Sequence, residues 1–97
     1  MEGKANEIFL DWITSKYFFK DKRYSDLNIY QKGDIGEFLR FPITKNAYIL
    51  EWMDSLGPEF GGWTISDLIY SELNHMNILL AIDKAIKKAI ELYNSQC

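Results

Sequence analysis

The clearest period in the chain runs from Met76 to Asn94, MNILLAIDKAIKKAIELYN. Steps of three and four residues there place Leu79, Ile82, Ile86, Ile90 and Tyr93 on one stripe, with Ala85 and Ala89 along its edge. That spacing predicts a helix with one buried face. The opposite face carries Lys84, Lys87, Lys88 and Glu91, and Asp83 stands one turn before Lys87 in the favourable order for a helical ion pair. Leu80 breaks the pattern: it projects to the polar side, so it is either covered by another element or offered to a partner.

The same reading taken from the start predicts a first helix over Ala5 to Lys20, with Asn6 or a near neighbour as its cap and Ile8, Phe9, Trp12, Ile13 and Tyr17 on one face. Ser25 to Phe41 admits two readings. As helix, Ser25 caps a short turn that Gly33 ends, and Asp34 with Glu37 opens a second piece with Ile35, Phe38 and Leu39 inward. As strands, residues 27–31 and 37–43 form a hairpin around a glycine-containing loop. The helical reading also accounts for Asp34 and Glu37. Pro42 stops whatever precedes it, Thr44 caps the next helix, and Tyr48, Ile49, Trp52, Met53 and Leu56 share a face until Gly57-Pro58 ends it. EFGGW, residues 59–63, is a loop whose Phe60 and Trp63 either plug the core or meet a partner. Thr64 and Asp67 make a cap followed by an acid, with Leu68, Ile69 and Leu73 inside the helix they open. Asn74 to Asn77 breaks that helix from the next one. The pattern predicts an all-α, single-domain bundle of about five to six helices over residues 1–97, with an α+β fold carrying one hairpin at 27–43 as the alternative.

Composition narrows the functional classes. A hydrophobic fraction of 47% with 15% aromatic residues in 97 residues excludes a disordered tail and allows one core. Cys97 is the single cysteine and His75 the single histidine, so no disulfide framework, no histidine-based metal site and no cofactor is expected. The pair at Gly61 and Gly62 lacks the strand and lysine of a phosphate loop. No catalytic constellation emerges, and the expectation is a protein that is not an enzyme. The longest apolar run, residues 78–82, is far short of the ~20 residues of a membrane span, and Met1-Glu2-Gly3-Lys4 does not begin a signal peptide. The expected location is the cytoplasm, without a membrane partner.

Charge is unevenly distributed. Residues 1–45 hold eight Lys or Arg against seven Asp or Glu, whereas residues 46–82 hold five acids and no base. Glu51, Asp54, Glu59, Asp67 and Glu72, if they converge around Trp52, Phe60, Trp63 and Tyr70, make a charged rim about aromatic anchors, which suits a basic protein partner. Nucleases are such partners, because their clefts are basic in order to bind phosphate. Lys16, Lys20, Lys22 and Arg23 interleave with aromatic residues and define a competing nucleic-acid surface, although direct nucleic-acid binding is not the favoured reading.

In size and overall character the chain resembles bacterial toxin-immunity proteins of the contact-dependent growth inhibition and colicin systems, which are short, acidic, non-catalytic and cytoplasmic. The resemblance covers the whole chain and rests on character rather than on a motif. It implies a tight one-to-one complex that neutralises a cognate basic toxin. A phage-type inhibitor of a host nucleic-acid enzyme, a small nucleic-acid-binding module, and a helical adaptor or self-associating subunit built around Leu80 stay open beside it.

Overall fold

Three helix starts are fixed by side-chain caps. The Asn28 side chain accepts from the Gln31 backbone N–H at 2.9 Å while the Gln31 side chain accepts from Asn28 N–H at 3.0 Å. Thr64 and Asp67 repeat this reciprocal pair at 3.1 Å each way, and Asn77 accepts from Leu80 N–H at 3.0 Å. Each cap satisfies N–H groups that the first helical turn leaves open. The computed structural model describes residues 3–96, so Met1, Glu2 and Cys97, the single thiol, lie outside the described residues.

Among the described residues the order is α1 (Gly3–Ile13), a π turn (Thr14–Phe18), a 3₁₀ turn (Tyr24–Asp26), α2 (Ile29–Phe38), α3 (Pro42–Leu56), α4 (Ile65–Leu73) and α5 (Ile78–Ser95). The fold is all-α, and the hairpin alternative at 27–43 does not form. None of these helices is long and apolar enough to cross a membrane.

Several boundaries differ from the sequence reading for identifiable reasons. The first helix starts at Gly3 rather than near Asn6, and it passes into a π turn closed by Phe19 N–H to Thr14 O at 2.7 Å. α2 runs through Gly33 and Gly36 instead of ending and restarting between them, because the working cap is Asn28 with Gln31 and not Asp34 with Glu37. Pro42 is the first residue of α3, where its missing N–H costs nothing, so Thr44 lies inside the helix rather than capping it. Gly57, at φ 70°, ends α3 where expected.

The core is organised by rings. Trp52 lies 5.7 Å from Phe9 and 5.7 Å from Tyr93, and Tyr93 lies 6.3 Å from Phe60. This joins α1, α3, α5 and the turn before α4. A second series, Trp12 to Tyr17 to Tyr48 to Phe38 to Phe18, lies along the outer side at 5.1–6.0 Å and ties α2 to the rest. α4 packs most extensively on α5, whose buried line is Ala81, Ala85, Ile86 and Ala89, and the small alanines permit close approach. That line is rotated from the expected stripe, so Leu79 falls outside it. α1 and α5 are in contact, and the start of α1 meets the end of α5 where Ala5 N–H donates to Asn94 Oδ1 at 2.8 Å.

Two local features predict gains in stability. Beyond the local helix backbone, neither Gly33 nor Gly36 has an atom within 4 Å of the place an added Cβ would occupy, and neither needs a positive φ. Gly36→Ala is expected to stabilise by about 0.5–1 kcal/mol through helix propensity, read as a rise in thermal midpoint. The Thr14 hydroxyl is fully buried with no hydrogen-bond partner among the described residues. Thr14→Val removes a desolvated polar group at nearly constant shape, so the midpoint in urea should hold or rise, whereas a loss above about 1 kcal/mol would reveal a bond from that hydroxyl.

Candidate protein-binding surface

The segment between α3 and α4 is built as a rigid display. Phe60 and Trp63 exchange backbone hydrogen bonds at 3.1 Å in both directions, with Gly61 and Gly62 between them at φ 64° and 88°. Two positive φ values in a two-residue turn are the geometry for which glycine carries no Cβ cost. The turn is anchored at its base: Phe60 is fully buried against Tyr93, and Gln96 Nε2 donates to Glu59 O at 3.0 Å. The expected aromatic anchors therefore divide, and Trp52, at 1% exposure, is lost to the core as the central ring of the helix packing. Phe60 plugs the core and offers no area to a partner, while Trp63 is held outward at 55% exposure. Beneath Trp63 lies a shallow depression formed by Gly61, Leu68, Ser71, Lys88 and Leu92.

The five acids of the base-free block do not form one rim. Glu51 is satisfied internally: Lys16 Nζ lies 3.1 Å from Oε1, and the Tyr17 phenol donates to the same carboxylate at 2.5 Å. Glu72 pairs with Lys84 at 3.7 Å across α4 and α5, with only 14% of its side chain exposed. Asp67 is exposed but accepts from Thr64 N–H in the cap of α4. Asp54 and Glu59 are exposed and their carboxylates have no ion-pair partner among the described residues. A stretch without bases in the sequence is thus partly neutralised in space by Lys16 and Lys84, and Lys88 reaches the Trp63 depression. No pattern local to residues 46–82 could signal these lysines, because they arrive from α5 and from the π turn. What remains accessible is Trp63 with Asp54, Glu59 and Asp67, and Tyr70 exposed further along α4.

The competing basic surface is also dispersed. Lys16 is committed to Glu51 and lies over the Trp12 and Tyr17 rings at 5.1 and 5.7 Å. Arg23 lies 4.0 Å from Asp26, and Phe18 and Phe19 pack on the core instead of presenting faces for base stacking. Lys20 and Lys22 stay exposed. Among the described residues no three His, Cys, Asp or Glu side chains gather where a metal ion could sit.

Electrostatics single out the π turn. Donation from the Tyr17 phenol to Glu51 raises the Tyr17 pKa from its ordinary value to about 12, with desolvation and the carboxylate charge acting in the same direction. The same bond, followed by that from Lys16, lowers the Glu51 pKa. Asp67 is also lowered, first by the Thr64 backbone N–H and then by the Thr64 side chain. Glu51, whose folded pKa is depressed, contributes stability above its unfolded value, and that contribution is lost as pH falls through the folded pKa. Tyr17, whose folded pKa is raised, contributes below about pH 10, and its share is lost as pH rises toward about 12.

Compared with family models, curated proteins and solved structures, the chain matches none. For the Tyr17 and Glu51 pair, the expected outcome of an ultraviolet phenolate titration is one late component near pH 12 that disappears in both Tyr17→Phe and Glu51→Gln. Persistence of that component in Glu51→Gln would assign it to another tyrosine.

Proposed function

We propose that this chain is a non-catalytic protein that binds one protein partner stoichiometrically through the Trp63 turn, and that the partner is a basic toxin whose activity the complex neutralises. The observation that carries this reading is the presentation of Trp63. A large aromatic side chain is held more than half in solvent by a turn whose own base is buried and hydrogen-bonded. Folding gains little from leaving an indole outside, whereas a partner gains an anchor that loses little entropy on binding, the usual character of an interface hot spot.

Charge supports the choice of a basic partner. Asp54 and Glu59 have no counter-ion among the described residues, and the cap of α4 keeps Asp67 ionised. Such carboxylates speed encounter with a cationic cleft and oppose acidic partners. A nuclease is the first class to examine, because a cleft that binds phosphates accepts carboxylates with the same donors. An inhibitor of a host nucleic-acid enzyme would use the same surface and the same chemistry.

Co-expression with the products of adjacent open reading frames tests the proposal. A partner that is toxic alone should become harmless with this chain and co-purify at one to one. Trp63→Ala should weaken that complex about 30-fold or more, the size of a hot-spot loss near 2 kcal/mol. Asp54→Lys combined with Glu59→Lys should slow association several-fold at low salt while helix content is unchanged. Recovery of nucleic acid in place of a protein, or a complex indifferent to Trp63→Ala, would contradict the reading.

A further inference from the structure

α5 starts in an unusual way. Its first turn consists of Ile78, Leu79 and Leu80, at 50, 63 and 57% exposure. Open N–H groups and the helix dipole favour polar and acidic side chains at such a position. Asn77 caps this turn, so it is a formed helix end. Leu79 and Ile82 make one wall of an open groove, and Pro42, Ile43, Ala47 and Leu50 from the first half of α3 make the other. Ile43, at 73% exposure, stands on its rim. A second depression containing Met76 and Leu80 adjoins the first across Asp83, which lines both.

The exposed parts of these side chains form a continuous apolar face on the order of 500 Å², the upper range for a chain that stays alone. The dimensions of the molecule agree. Its shortest extent is 19 Å, about two helix diameters, and its accessible surface of 6273 Å² exceeds the roughly 5,800 Å² usual for a monomer of 11.4 kDa.

We propose that a second copy of this chain covers the face, in a two-fold dimer that packs the first halves of α3 and α5 against their own images. Two such faces bury about 1,000 Å² of apolar surface before any polar rim is added, which reaches the size at which specific interfaces begin. The charges on the face are already satisfied within each copy. The ionic groups lining the two depressions are Asp83, Lys84 and Lys87; Asp83 pairs with Lys87 at 3.0 Å and Lys84 with Glu72 at 3.7 Å, so a second copy can cover the face without burying an unpaired charge. Trp63 lies beside Lys88 and Leu92, in the later half of α5, so the dimer leaves both turns open.

Sedimentation velocity of the full chain over a wide concentration range tests this directly. The expected result is a species of twice 11.4 kDa that dissociates on dilution. Leu79→Asp and Ile43→Asp should each yield monomer at every concentration with an unchanged helical spectrum, while Trp63→Ala and Tyr70→Asp should leave the dimer intact. If Leu79→Asp loses helix, Ile43→Asp on the other wall carries the test. A wild-type chain that remains at 11.4 kDa at the highest concentration overturns the proposal, and so does a dimer that survives Ile43→Asp.

Discussion

Trp52 fixes the rest of the molecule. It is 1% exposed, with its ring 5.7 Å from Phe9 of α1 and 5.7 Å from Tyr93 of α5, so one side chain sets the separation of three helices. Truncating an aromatic residue in such a place costs about 3–5 kcal/mol, a large share of the stability of a small domain. Its neighbours follow from helix geometry. With Trp52 inward, Glu51 turns to the side, where Lys16 and Tyr17 meet it, and Asp54 turns to solvent. Tyr93, held by Trp52, in turn holds Phe60, and the buried Phe60 is the base of the turn that lifts Trp63 away from the protein. The core and the candidate site are thus one continuous series of rings.

Much of the fold was legible in the sequence where a periodic apolar face coincided with strong punctuation. Gly57-Pro58 ended α3 as read, Thr64 with Asp67 opened α4, and the break at 74–77 separated α4 from α5. Boundaries failed where two capping patterns competed. Asn28 with Gln31 and Asp34 with Glu37 are both spaced as capping boxes, and the glycines at 33 and 36 gave the Asp34 pair the character of a helix boundary. The cap that formed is the Asn28 one, and the helix that runs through both glycines carries Ile35 and Leu39 into the core. Likewise the alanines of α5, weak markers of a buried face in a sequence, became its packing line because α4 lies so close.

The site was legible in kind and not in arrangement. A list of acids and aromatics along one stretch omits what other elements bring to them, and Lys16 and Lys84 cancel two of the five carboxylates. Phe60 and Trp63 were equivalent as sequence and became opposites once the turn closed, one inside and one outside. The apolar groove between α3 and α5 had a partial signal in Ile78-Leu79-Leu80, since three consecutive aliphatic residues cannot all face one core. Its other wall, from Pro42 to Leu50, required the structure.

On the proposed reading, the Trp63 turn is the surface through which this chain meets its partner. Hydrogen exchange of the chain, free and in that complex, measures it most directly. Slowed exchange on binding should concentrate in residues 59–71, the turn and the start of α4. Protection confined to the π turn and the segment after it, or to the groove between α3 and α5, with 59–71 unchanged, would contradict it.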